Sequence, residues 1–289
     1  MQISIVTDEI SADPETAFEL GVEWGIRHFE LRGYGEDRVP NFSDFQKQRI
    51  RECLEMFGVD VVAISPGLFK IPFPPANREH FPLRTFDSNL YGRWRSARDL
   101  LRYHQEELLP KSIEYAKSLN VTQIVAFSFH RGGMPAGSPP DEILDVFHRA
   151  AIEAGQAGID LVVEVEDEFW ADTGARTAEL VKRVAHPAFG VNWDPGNAFP
   201  NEPEPFPGGY EAVRSYVRHV HFKDVLAHET GYNYTVHGQI DWAGQIAALR
   251  RDGYAGYISV ETHMEPKVRA ARDLTERLKA LIADATTAP

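Results

Sequence analysis

The chain has 289 residues, 43% hydrophobic and 25% charged, with 30 Lys and Arg against 43 Asp and Glu and a single cysteine. That length and apolar content fit one or two globular domains and exclude disorder or a coiled coil, while a net charge of −13 argues against nucleic acid or an anionic membrane as partner. Cys53 alone leaves no intramolecular disulfide or cysteine-rich metal site. No apolar run reaches the ~20 residues of a membrane span, and MQISIVTDEIS lacks a basic n-region, so a soluble cytoplasmic protein is expected.

A first strand begins near Ile3 (ISIVT), and Asp13-Pro14-Glu15 reads as an N-cap with proline at the first helical position, opening a helix toward Leu20. A second strand follows near Arg27 (RHFELR), then a helix from the Ser43 cap to Phe57 with Gly58 as its stop. The third strand starts near Val59 (VDVVAIS) and enters a long proline-rich, aromatic loop from Ser65 to Tyr91. Gly92 to Leu119 is helical in composition, with Pro110 expected to kink or divide it. Strands near Thr122 (TQIVAFSF), Asp160 (DLVVEVE), Phe189 (FGVNWD), Val217 (VRHVHF) and Gly256 (GYISVE) complete the β-runs. Between and after them come helices opened by Pro140-Asp141-Glu142 and ending near Gly155 to Gly158, then Thr173 to Val184, Gly209 to Tyr216, Asp241 to Arg251 and Pro266 to Ala283. Asn197 to Gly209 and Val225 to Gln239 read as further long loops.

Eight strands alternating with helices predict parallel βαβ units. No GxGxxG follows the first strand, and the count and length favour a closed (β/α)8 TIM barrel over an open doubly wound sheet. The expected domain is residues 1–284, with 285–289 as a flexible tail.

Buried strands should be apolar, so polar exceptions carry information. Four successive strands end in ionisable residues: Glu164 in VVEVE, Asp194 in VNWDPGN, His221 in HVHFKD and Glu261 in SVETH. In a barrel the last inward residue of each strand points into the mouth. Three carboxylates gathered there without a cation would repel one another. A divalent metal removes that penalty, and the oxygen-rich donor set suits Mn2+, Mg2+ or Co2+, with Zn2+ a further candidate. By parity Asn192 and His219 lie deeper as core polar residues with partners, whereas Glu166 and His263 lie nearer the rim. Glu30 and Arg32 share a face and are expected to pair beneath the mouth; Asp8 reads as a loop cap and Cys53 as helix packing.

The pieces GIDLVVEVE, GVNWDPGNAF, HVHFKD, GQIDW and GYAGYISVE, in this order, resemble the xylose-isomerase-like TIM barrel superfamily of sugar isomerases and epimerases. Its relatives include ketose 3-epimerases, hydroxypyruvate isomerase and inosose dehydratase. The resemblance implies Glu164, Asp194, His221 and Glu261 as metal ligands, with the two glutamates as proton-transfer pair. It implies that Lys223 meets a substrate oxygen or an internal carboxylate. Many relatives carry His where this chain has Asn197, and Asn-His where it has Val165-Glu166, so the substrate shell departs from the family.

The chemistry expected is proton abstraction next to a carbonyl through a metal-stabilised enediolate, ending in epimerisation, isomerisation or dehydration of a small sugar or keto-polyol. Glu166, Asn197, Lys223, His263, His130 and His237 are candidate substrate contacts, with Arg131 beside them and Phe69, Phe73 and Trp193 as candidate apolar walls. A metal-dependent dehydratase or lyase on the same site, or a non-catalytic metal-binding partner subunit, are the alternatives. A homo-oligomer is compatible with the exposed loops. A multi-zinc DNA-repair nuclease would need more strand-end histidines and a basic face.

Overall fold

A computed structural model describes residues 1–74 and 96–287. The strands are β1 (Gln2–Val6), β2 (His28–Leu31), β3 (Asp60–Leu68), β4 (Gln123–Phe127), β5 (Asp160–Glu164), β6 (Phe189–Trp193), β7 (Val217–Phe222) and β8 (Tyr257–Val260). They run parallel around one closed barrel in that order, with β8 paired back to β1 through Ser4 and Ser259. The expected single-domain (β/α)8 barrel is the observed fold.

Local signals set the helices. Asp13 caps α1 (Pro14–Glu23) by accepting from Thr16 N. Ser43 and Gln46 form a reciprocal capping box on α2 (Asp44–Phe57), and Gly58 closes it at φ +60°, a left-handed position that glycine adopts without strain. The division expected at Pro110 lies just ahead of it, where a wider turn, His104–Leu108, separates α3 (Ala97–Tyr103) from α4 (Leu109–Ser118). Such a turn relieves the clash of a proline ring with the carbonyl behind it. Gly92 to Arg95 lie outside the described residues.

Helix α5 (Asp141–Gln156) buries Ile143, Val146, Phe147, Ala150, Ala151 and Ala154, a 3.6-period stripe laid on the strands. Helices α6 (Gly174–Val184), α7 (Pro195–Ala198), α8 (Tyr210–Val213), α9 (Trp242–Arg251) and α10 (Lys267–Thr287) follow. Because α10 continues through Thr287, most of the tail expected to be flexible is helical. No helix of the described residues is long and apolar enough to cross a membrane.

Val225 to Gln239, expected as a loop, is largely an antiparallel hairpin pairing Asp224–His228 with Gly231–Thr235. Asp224 anchors its base, accepting from Val225 N (2.8 Å), Gly238 N (2.9 Å) and Ile240 N (3.1 Å) and pairing with Arg277 at 2.7 Å. A Cβ at Gly238 would fall 2.1 Å from the Val225 carbonyl, so the HFKD and GQIDW pieces are coupled by backbone contact. Trp193 points outward, its indole N–H donating to Gln245 on α9 at 2.8 Å. That sets the parity of β6 and turns Asn192 and Asp194 inward.

Candidate metal centre and active site

Glu164, Asp194, His221 and Glu261 are all buried, and one donor atom from each lies within 4.8 Å of the others. His221 Nδ1 stands 3.4 Å from a Glu164 oxygen, 3.7 Å from Asp194 Oδ2 and 3.2 Å from Glu261 Oε2. It makes no hydrogen bond. The other ring nitrogen, Nε2, lies 3.0 Å from Glu30 Oε2, and a carboxylate can only accept, so Nε2 carries the proton and Nδ1 is left to offer a lone pair. An imidazole fixed by a carboxylate on one nitrogen and aimed at three carboxylate oxygens with the other fits a divalent cation.

Asp194 divides its two oxygens. Oδ1 caps α7 by accepting from Asn197 N at 2.9 Å, while Oδ2 is turned inward, with Lys223 Nζ 2.8 Å away. The D-P-G-N sequence makes this geometry: Asp194 is the cap, Pro195 sits at the first helical position, and Gly196 clears a path. A Cβ at Gly196 would meet Lys223 Cγ at 2.3 Å. The fully buried Lys223 also bonds Glu261 Oε2 and donates to Asn197 Oδ1 at 3.1 Å.

These contacts split the two glutamates electrostatically. Burial pushes the Glu164 carboxyl above the ordinary range, and the nearby Glu261 and Glu166 add to the push beyond what His221 offsets. Burial would raise Glu261 as well, yet Lys223, His263 and His221 hold it well below that range. Against its own burial, His221 is raised well above the usual imidazole value by Glu30, Glu164 and Glu261, so the lone pair on Nδ1 becomes available as a divalent cation displaces the proton held there.

Glu30 and Arg32 share the inward face but do not pair. Glu30 lies one layer below the cluster, accepting from His219 (2.9 Å) and His221 (3.0 Å). Arg32 lies above, binding Asp8, Glu9 and Glu261. Two residues along a strand are ~6.6 Å apart, and each charge meets an opposite one nearer than that. Asp8 is therefore an ion-pair partner of Arg32 rather than a simple loop cap. Glu9, which the sequence does not single out, also accepts from Thr262 N (3.0 Å) and His263 N (2.9 Å), fixing the backbone beyond Glu261. His219 has the partners expected of it, with Ser259 Oγ at 3.0 Å. Asn192 does not, since neither side-chain amide atom has one.

At the rim, Asn197 Nδ2 donates to Glu164 (3.0 Å) and Glu166 (2.9 Å), and Lys70 pairs with Glu166 at 2.8 Å. His263 is 37% exposed, 3.4 Å from Glu261 Oε2 and packed against the Tyr234 ring. Lys223, Asn197, Glu166 and His263 are thus gathered around the cluster. Two other candidates are not. His130 is buried in the loops, with Glu168 3.2 Å from Nε2 and the Gly132 N–H donating to Nδ1; its neighbour Arg131 is held by Asp172 and the Phe169 carbonyl. His237 is exposed beyond the hairpin. Phe69 is buried against Phe129, Phe147 and His104 instead of forming a wall, and Phe73 packs edge-on to Phe129.

The family model described as xylose isomerase-like TIM barrel matches residues 18–281. Among curated proteins none matches the chain. Among solved structures, an L-ribulose 3-epimerase superposes with a TM-score of 0.71 at 15% identity, covering 99% of this chain and 96% of that one. The probable 3-DHS dehydratase AsbF from Bacillus anthracis gives 0.69 at 16% identity, covering 96% and 99%. A xylose isomerase-like TIM barrel protein from Mycobacterium smegmatis, in complex with magnesium, gives 0.63 at 17% identity, covering 94% and 88%. At these identities the likeness is one of fold.

Proposed function

The chain belongs to the xylose isomerase-like TIM barrel family, and from that premise we propose that it is a divalent-metal-dependent sugar isomerase or epimerase acting by proton transfer next to a carbonyl. The observation that carries this reading is the buried, unbonded His221 Nδ1 facing three carboxylate oxygens at 3.2 to 3.7 Å. Glu164, Asp194, His221 and Glu261 would hold one ion, for which the hard donor set favours Mn2+. Its contribution when bound is Lewis acidity that offsets the negative charge developing on the carbonyl oxygen.

The protein's own part is proton handling and orientation. Strands β5 and β8 flank β6 and β7, so Glu164 and Glu261 approach the site from its two ends. One takes the carbon-bound proton and the other, or the same one, returns it. Return to the same carbon epimerises, and return to the neighbouring carbon isomerises. Lys223, Asn197, Glu166 and His263 supply the polar groups that orient substrate hydroxyls, and the hairpin carrying Tyr234 covers one side.

Solvent-deuterium exchange over a panel of ketoses and inososes, with Mn2+-loaded protein and its Glu261→Gln variant, tests the proposal. Deuterium entering one substrate beside its carbonyl, and lost in the variant, is the expected result. Product analysis then separates epimer, isomer and dehydrated product. Absence of exchange across the panel would overturn the reading.

A further inference from the structure

Of the described residues, Arg32, Lys70, Lys223 and Arg38 stand around the mouth, and the first three are spent on carboxylates: Arg32 on Asp8, Glu9 and Glu261, Lys70 on Glu166, Lys223 on Asp194 and Glu261. Arg38 is the exception. It ends the short hairpin Gly33–Tyr34/Asp37–Arg38 that follows β2, and no carboxylate of the described residues lies within ion-pair distance of it. Its Nε donates to the Ser65 carbonyl at 2.9 Å and one Nη to Ser65 Oγ at 3.3 Å. A guanidinium has five N–H donors, so three remain without an acceptor among the described residues.

The surroundings are built to hold this group in place and leave one edge open. Ser65 pins the Nε side to β3, which fixes the plane of the fork. Gly67, at φ +72°, leaves room for it, since a Cβ there would approach Arg38 Cζ to 3.3 Å. Burial and Arg32 together disfavour the cation more than Asp8, Glu164 and Glu261 favour it. Holding a half-buried charge without a counter-charge carries a desolvation cost, and an anion placed on the open edge offsets that cost.

We infer that Arg38 binds a carboxylate carried by the substrate, so that the sugar handled at the Glu164–Asp194–His221–Glu261 cluster is a keto acid of the sugar series and not a neutral ketose. This inference rests on the proton-transfer reading above and names its substrate class. The open Nη edge matches a planar two-oxygen acceptor. A phosphate dianion is less well served, because Asp8, Glu164 and Glu261 add negative potential at Arg38 and, of the four cations named, Arg38 alone has no carboxylate partner among the described residues.

The test compares a neutral ketohexose, the corresponding ketohexuronate and the corresponding ketohexose phosphate on Mn2+-loaded protein, by solvent-deuterium exchange and by calorimetric binding. The wild type is expected to favour the uronate. Arg38→Gln should lower kcat/KM for the uronate by about 10- to 100-fold, mainly through KM, and change the neutral ketose by less than about threefold. Arg38→Lys should recover part of the uronate preference. An equal loss on acid and neutral sugars in Arg38→Gln, or a wild-type preference for the neutral sugar or the phosphate, would overturn the inference. The wild-type preference decides the question by itself if Arg38→Gln does not fold. Exchange without any acid preference overturns the Arg38 site and leaves the proton-transfer reading standing. Acid-selective binding without exchange does the reverse.

Discussion

The two halves of the barrel do different work at the same mouth. Strands β5 to β8 each contribute one donor, Glu164, Asp194, His221 and Glu261, and the donors converge within 4.8 Å. The first half contributes no member of that set. It supplies groups that fix it: Glu30 under His221, Glu9 and Arg32 around Glu261, Lys70 on Glu166. A cluster of carboxylates is tolerated because Lys223 within the ligand half and Arg32 from the opposite half partly neutralise it. The ligands define what chemistry can happen, and the facing half defines which way each ligand points.

Substitutions on the two sides should therefore fail in different ways. The largest effect is expected for Glu261→Gln, which removes both a donor and a proton carrier; exchange activity should fall by about 10³-fold or more, read by deuterium incorporation. Glu30→Gln keeps all four donors but loses the carboxylate that fixes the His221 tautomer. Metal affinity should weaken by about 10- to 100-fold, measured by titration of metal-stripped protein, with the fold retained by circular dichroism. An unchanged affinity would dissolve the division between ligand half and supporting half.

Glu9 links the comparison to pH. Burial by itself would raise its carboxyl, but Arg32, His263 and the Thr262 hydroxyl lower it from an ordinary value near 4.5 to about 2. A folded value below the unfolded one means the stabilisation is fully present above about 4.5 and is lost as pH falls toward about 2. Glu9→Gln should cost about 3 kcal/mol at neutral pH and flatten that part of the acid limb in urea unfolding. The smallest effect is expected at the surface, where Arg183 pairs with Asp141 at 2.6 Å across exposed helix ends. Arg183→Ala should change stability by less than about 1 kcal/mol and leave metal binding untouched.

The ligand half was legible in the sequence because its signal is local: a charged residue closing an apolar run is visible without knowing any partner, and parity then turns Asn192 and Asp194 the same way. The caps of α1 and α2 were legible for the same reason. The supporting half was not, because its contacts join residues far apart in the chain. Arg32 meets Glu261, and Glu30 meets His219 and His221, whereas short-range parity offered only Glu30 with Arg32. Gly196 gave no sign of its role, since the space it keeps clear belongs to a lysine one strand away. The hairpin after β7 was hidden because its exposed, polar pairs carry no buried stripe. His130 and Arg131 followed a strand end as site residues should, but nothing local reveals that Glu168 and Asp172 engage them.

The most direct test of the central claim is a calorimetric titration of metal-stripped protein with Mn2+, run beside the His221→Asn variant. One ion per chain in the wild type, with binding lost or weakened at least about 10-fold in the variant, is the result expected if His221 Nδ1 and the three carboxylates form the site. No binding, or a wild-type isotherm reproduced by the variant, would contradict it.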